Sequence, residues 1–130
     1  MLVIDASAVV ELLLSTPASA QVRSYLTAEH TLHAPELLGV EVVSVLRRLV
    51  RGGHLTDHDA HTAVDTLSAL GIETYEHQPF LRRCLELRES LTAYDALYVV
   101  LAEALGAPLL TCDAKLARST GHRATVHHVE

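Results

Sequence analysis

The chain has 130 residues, 49% of them hydrophobic and 20% charged, which is enough for one compact domain with a sizeable core and excludes wholesale disorder. Its net charge is −6, with 10 Lys+Arg against 16 Asp+Glu, and it has four Tyr, one Phe and no Trp. A protein that grips nucleic acid by bulk positive charge or by a platform of stacked aromatics is therefore excluded, and a nucleic-acid substrate needs another device, such as bound divalent cations.

The elements follow in chain order. Leu2-Val3-Ile4 is a short apolar run suited to a buried strand, and Ala8 to Leu14 reads as a helix broken by Ser15-Thr16-Pro17. Pro17 suits the first turn of a second helix running to about Ala28. Thr31 to Ala34 is a second strand ended by Pro35, and Glu36 to Arg51 has helical period stopped by Gly52-Gly53. Asp57 to Leu70 is a helix with Thr56 or Asp57 as N-cap and Gly71 after its end. Ile72 to Tyr75 is strand-like, Pro79 to Glu89 and Thr92 to Leu105 are helical, and Leu109 to Thr111 is an apolar strand. A short helix, Ala114 to Ser119, and a last strand, Ala124 to His127, complete the chain. Strands alternating with helices predict an α/β sandwich around a mostly parallel sheet, one domain over residues 1–130.

In such sheets ligands bind beyond the carboxyl ends of the strands. Asp5 follows Leu2-Val3-Ile4, and Asp113 follows Leu109-Leu110-Thr111-Cys112, so both are expected on that rim. Each also suits an N-cap. On a helical wheel turning about 100° per residue, Glu41 stands at the margin of an apolar face made by Leu38, Val42 and Val45, with no Lys or Arg at i±3 or i±4. Asp95 repeats the pattern among Leu91, Tyr98, Val99 and Ala102, with Thr92-x-x-Asp95 as a capping box. Four acids with weak local explanations suggest a shared one. Clustered carboxylates hold together only with protons or divalent cations between them, and an all-oxygen set selects Mg²⁺ or Mn²⁺ over Zn²⁺. Two such ions would bring the net charge from −6 to −2. Ser7 and Thr111 each lie two residues from a candidate ligand, where a hydroxyl orients it.

Other patterns are set aside. His54, His58 and His61 have helical metal-site spacing, but a helix starting at Thr56-Asp57 leaves His54 outside it. Cys84 and Cys112 are too few for a disulfide scaffold and suit a reduced cytoplasmic setting. No apolar run is long enough for a membrane span, and a leader with a basic start is not expected at Met1-Leu2-Val3-Ile4-Asp5.

Four segments, Val3-Ile4-Asp5-Ala6-Ser7-Ala8, Pro35-Glu36-Leu37-Leu38-Gly39-Val40-Glu41-Val42 with Leu46-Arg47-Arg48, Thr92-Ala93-Tyr94-Asp95-Ala96-Leu97-Tyr98 and Leu110-Thr111-Cys112-Asp113-Ala114-Lys115-Leu116-Ala117, together resemble the PIN-domain ribonucleases, specifically the VapC-type toxins of toxin–antitoxin pairs. The resemblance spans nearly the whole chain in the family's order. It implies a three-layer α/β/α sandwich with a central, mostly parallel sheet and Mg²⁺- or Mn²⁺-dependent endonucleolytic cleavage of RNA, with Asp5, Glu41, Asp95 and Asp113 at the acidic positions and Ser7 and Thr111 at the supporting hydroxyls. It also implies a homodimer inhibited by a small antitoxin whose tail lies in the active-site groove. Arg47, Arg48, Lys115 and Arg118 are then candidates for contacting the RNA backbone. Some members carry a further acid after the last motif, where this chain reads Ala114-Lys115-Leu116-Ala117-Arg118. Two other readings stand beside this one. A phosphohydrolase acting on a small phosphate ester would use Asp5 as nucleophile, and a non-catalytic binding module would use the acids only as caps and surface.

Overall fold

The computed structural model describes residues 1–26 and 30–130. Among these described residues, five short strands form one sheet: β1 (Leu2–Ile4), β2 (Leu32–Pro35), β3 (Glu73–Tyr75), β4 (Leu109–Thr111) and β5 (Val126–His128). Their order is β3-β2-β1-β4-β5, every neighbouring pair is parallel, and Val3 sits opposite both His33 and Leu109. Parallel strands need crossovers, and helices supply them: α1 (Ala6–Leu13), α2 (Ser19–Ser24), α3 (Leu37–Arg51), α4 (Asp57–Ala69), α5 (Leu81–Glu86), α6 (Ala93–Leu105) and α7 (Ala114–Ala117).

From β1 the chain steps outward through β2 to β3, then returns past β1 to β4 and β5. Crossovers of one hand place α1–α4 on one face and α5–α7 on the other. The packing agrees: α6 lies against β1, β2 and β4, while α1 packs on α2, α3 and α4. The order therefore reverses between β1 and β4, and a switch point of this kind opens a crevice beyond the strand ends. β1 and β4 are buried at every residue, as strands covered on both faces must be. α6 is buried continuously from Ala96 to Ala102, which makes it the central helix of its layer. Gly106, at φ 62°, turns the chain from α6 toward β4 in a conformation that a side chain disfavours.

The expected α/β/α architecture holds, with differences at the edges. The helix expected from Pro17 is α2, Ser19–Ser24; its expected end near Ala28 lies outside the described residues. The helix expected over 79–89 is a 3₁₀ turn, Gln78–Phe80, followed by α5, which stops at Glu86. Leu87 shares its N–H between the carbonyls of Arg83 and Cys84, and the tighter turn buries Leu87 and Leu91. The last helix ends at Ala117 rather than Ser119, and the last strand is shifted to Val126–His128 by its register against Leu109–Thr111.

Candidate active site

Asp5 leaves β1 and caps α1, its Oδ1 accepting the Ala8 N–H at 3.0 Å. The same oxygen accepts the Ser7 hydroxyl at 2.7 Å, and Oδ2 accepts the Thr111 hydroxyl at 2.5 Å. Ser7 Oγ in turn accepts the Cys112 N–H at 2.9 Å, and Thr111 Oγ1 accepts the Asp113 N–H at 2.9 Å. Each hydroxyl has one proton, and each gives it to Asp5. The turn after β4 is thus tied to the turn after β1 through the two hydroxyls predicted to support the acids.

All four predicted carboxylates lie within electrostatic reach of one another along a chain of neighbours. Asp5 is 5% exposed, and burial pushes its carboxyl up to about 6 against the pull of Ser7, Thr111 and Ala8, with Asp113 adding to the rise. Burial also raises Glu41, opposed by a hydrogen bond from Tyr98 and reinforced by Asp95. Asp95, capped at the start of α6 by Thr92, is raised by burial and then by Asp113, while Thr92 and the Lys115 ammonium pull it down. Asp113 caps α7, accepting the Lys115 N–H at 2.8 Å and the Leu116 N–H at 3.4 Å. Capping and clustering are therefore compatible at Asp5 and Asp113.

Among the described residues, none of the ion pairs involves any of these four acids. No three of them converge at coordinating distance either. Three of the four side chains are turned toward neutral donors: Asp5 to two hydroxyls, Glu41 to a phenol, Asp113 to helix N–H groups. Like charges without a counter-ion separate in this way. The donors are all hard oxygens, neighbours in charge, without an ion pair among the described residues and costly to ionise together. That set fits Mg²⁺ or Mn²⁺ and does not fit Zn²⁺.

Tyr98 was not singled out from the sequence. It is 1% exposed, and its hydroxyl donates to Glu41 Oε1 at 2.5 Å across 57 residues of chain. Burial and the Glu41 hydrogen bond push the phenol far above its ordinary range, with Asp5 and Asp95 adding to the rise. Its only sequence signal is its place three residues after Asp95, on the same side of α6. Cys112 is also beside the site. Burial, Asp5 and Glu11 raise its thiol to about 11, so it is an inert neighbour.

The basic candidates divide. Lys115 lines a groove of about 390 Å³ with Asp95, Thr92, Ser90, Leu91, Glu89 and Arg88, the last unnoticed in the sequence. Arg47 and Arg48 lie on the outward face of α3 with Ser44 and Arg51, around a separate groove of about 360 Å³ that touches none of the four acids. Arg118 is exposed just past α7. A roomier groove of about 620 Å³, between α1, α3 and α4, also lacks these acids. His54 stands outside α4, as expected, and His61 is an exposed helix residue bonded to the Asp57 carbonyl.

Comparison with known proteins gives these features a context. Residues 2–121 match the family model described as PIN domain. The chain is 43% identical over 129 residues to Ribonuclease VapC12 of Mycobacterium tuberculosis, covering 99% of each chain. Two solved structures share the fold. PAE2754 from Pyrobaculum aerophilum superposes with a TM-score of 0.72 at 24% identity, covering 96% of this chain and 81% of that one. A toxin-antitoxin complex from Klebsiella pneumoniae gives 0.66 at 16% identity, covering 91% of each chain.

Proposed function

The chain belongs to the PIN-domain family, and we propose that it is a Mg²⁺- or Mn²⁺-dependent endoribonuclease, the toxin of a toxin–antitoxin pair, folded as one nuclease domain over residues 1–130. The observation that carries this reading is the run of mutually repelling carboxylates at the β1–β4 switch point, none of them in an ion pair among the described residues. Asp5 and Asp95 would hold the principal cation, with Glu41 and Asp113 completing the set. When bound, a divalent cation there offsets the charge gathering on the phosphate and makes the attacking water more acidic.

The protein's own groups do the rest. Ser7 and Thr111 fix Asp5 through both oxygens, so it is a ligand in a set orientation rather than a free nucleophile; this favours hydrolysis by water over an aspartyl-phosphate route. The groove beside Asp95 is open and flanked by Lys115 and Arg88, a shape for a polymer passing through rather than for an enclosed small ester. Their cations would hold phosphates next to the one being cut. Arg47, Arg48 and Arg118, all solvent-facing, would contact RNA further from the cut.

An antitoxin and a second copy of the chain are the expected protein partners. A trench of about 310 Å³ between α3 and α4 has an apolar floor, including Val43, Leu46 and Val64, and a charged rim, including Arg47, Arg51 and Asp57, which suits an amphipathic helix. Leu81 and Leu85, one helical turn apart on α5 and 47% and 66% exposed, offer an apolar strip for self-association. No described helix is long and apolar enough to cross a membrane, and with two free cysteines a cytoplasmic setting is proposed. The direct test is incubation of purified protein with total RNA, with Mn²⁺ or with EDTA, and mapping of new ends. Discrete internal cuts only in the metal arm are expected; RNA left intact in both arms would remove the nuclease reading.

A further inference from the structure

Glu41 poses a question that the metal site alone does not answer. It is half-buried, it repels Asp95, and no Lys, Arg or His pairs with it among the described residues. Its partner is the Tyr98 hydroxyl, which donates to Oε1 at 2.5 Å. The phenol is 1% exposed, so water cannot replace Glu41 as its acceptor, and losing the carboxylate would strand a buried O–H. Among the described hydrogen bonds Oε2 accepts none. The link also joins the two layers, since Glu41 rides on α3 and Tyr98 on α6, one turn after Asp95. A lysine at 98 would hold Glu41 as firmly but cancel its charge. A phenol fixes one oxygen and leaves the charge for a cation.

The geometry points to Tyr98 as the positioning residue that holds Glu41 by Oε1 and so presents Oε2 to a divalent cation shared with Asp95. This rests on the cation-dependent nuclease reading. Tyr98 touches neither substrate nor the reacting phosphate; it acts through Glu41. Partners that orient a ligand in this way alter cation affinity by about 10–100-fold when removed.

The test is calorimetric titration of Mn²⁺ into the cation-free protein as wild type, Tyr98→Phe, Glu41→Gln and the double variant, with folding checked by circular dichroism. Tyr98→Phe is expected to weaken Mn²⁺ binding about 10-fold or more, and the double variant to bind like Glu41→Gln alone. Wild-type affinity in Tyr98→Phe overturns the inference. So does an undiminished loss when Tyr98→Phe is added to Glu41→Gln, because Tyr98 would then act by packing. A second measurement needs no Tyr98 variant. The chain has four tyrosines, one phenylalanine and no tryptophan, so its ultraviolet difference spectrum at wavelengths longer than the phenylalanine bands reports tyrosine. Mg²⁺ is expected to perturb that spectrum in wild type and not in Glu41→Gln; an equal perturbation in both, or none in either with Mg²⁺ bound, overturns the inference. A wild-type protein that binds no divalent cation removes the nuclease reading and this inference together, whereas normal wild-type binding with an unaffected Tyr98→Phe removes only this inference.

Discussion

Glu103 and Asp5 both turn their carboxylates away from water: the Glu103 side chain is 5% exposed on a half-buried residue, and Asp5 is buried as a whole at 5%. Glu103 meets the Arg83 guanidinium through both oxygens, each at 3.0 Å, and the Arg123 N–H at 2.8 Å. That arginine holds its carboxyl below the ordinary glutamate range. Asp5 meets two hydroxyls and one N–H, faces Asp113, and has its carboxyl pushed up to about 6, with burial the main cause. One fold thus treats two hidden carboxylates in opposite ways. At Glu103 it supplies a cation and ties α5, α6 and the loop before β5 together. At Asp5 it withholds one. Neutral donors orient the charge without cancelling it, so the demand for a counter-ion is left to something that must come from outside. The difference separates a carboxylate that serves stability from one that serves chemistry.

The sharpest way to break that contrast is to remove the charge on each side. Asp95→Asn, in the same repelling chain as Asp5, is expected to lower cation-dependent RNA cleavage by about 10³-fold or more, since several kcal/mol of charge stabilisation at the phosphate goes with it. Its cation-free stability at pH 7.5 should stay within about 0.5 kcal/mol of wild type, because relief of repulsion from Asp113 offsets a lost negative charge at a helix N-terminus. Glu103→Ala should do the reverse. Losing the two Arg83 bonds and leaving the Arg123 N–H without its acceptor is expected to cost about 2 kcal/mol in chemical denaturation, with Arg83 still held by Glu86, while the remaining folded protein cuts RNA at an unchanged rate. Equal effects of both variants on cleavage would erase the distinction.

How much of this was legible in the sequence follows the same division. Asp5 and Asp113 were readable because each closes an apolar run, and a parallel sheet gathers the carboxyl ends of its strands. Glu41 was readable because a helix has a fixed period and no cation lay within a turn of it. Tyr98 and Arg88 were not. The Tyr98–Glu41 bond joins residues 57 apart in different layers, and no local pattern encodes it. Arg88 reaches the groove beside Asp95 because α5 ends three residues before its expected limit, a choice made by burial of Leu87 and Leu91 rather than by helix propensity. The Glu103 clamp was hidden for the same reason, since Arg83 lies 20 residues away on another helix.

Acidity sharpens the comparison further, because the two carboxylates bias stability in opposite directions. Asp5 has a folded-state value near 6, above its ordinary value of 3.8, so its contribution is fully present below about pH 4 and is lost as pH rises through about 6. Glu103 lies below its ordinary value of 4.5, so its contribution is present above that value and is lost as pH falls through its lower folded-state value. The cation-free protein should therefore melt highest at about pH 4 to 5, with its Tm declining from there through about pH 6 and levelling off toward about pH 7.5. Mg²⁺ or Mn²⁺ should restore the loss at pH 7.5, in proportion to the logarithm of its concentration above Kd, and should do little at pH 4.5, where Asp5 is protonated. Asp5→Asn should flatten the alkaline decline and leave the acid limb intact; Glu103→Ala should flatten the acid limb instead. A Tm that rises steadily from pH 5 to 7.5 without a cation would contradict the assigned environment of Asp5.

The smallest expected effect concerns the cations that the site does possess. Lys115 lies close enough to Asp95 to lower its carboxyl, yet the two form no ion pair within 4 Å. Arg88 donates to the Leu85 carbonyl at 3.2 Å, and its Nε lies 3.7 Å from the exposed Glu89 carboxylate beside the same groove. If these two side chains face substrate phosphates, each removes about one counter-ion's worth of salt dependence when replaced. Lys115→Ala and Arg88→Ala are each expected to raise KM about 3- to 10-fold on a single-stranded oligoribonucleotide with kcat nearly unchanged. Each should also make the slope of log affinity against log salt shallower by about 0.7. A cation that instead served Asp95, as Arg83 serves Glu103, would shift the melting temperature and leave the salt slope alone. The two slopes thus tell whether this groove belongs with the chemistry at Asp5 or with the scaffold at Glu103.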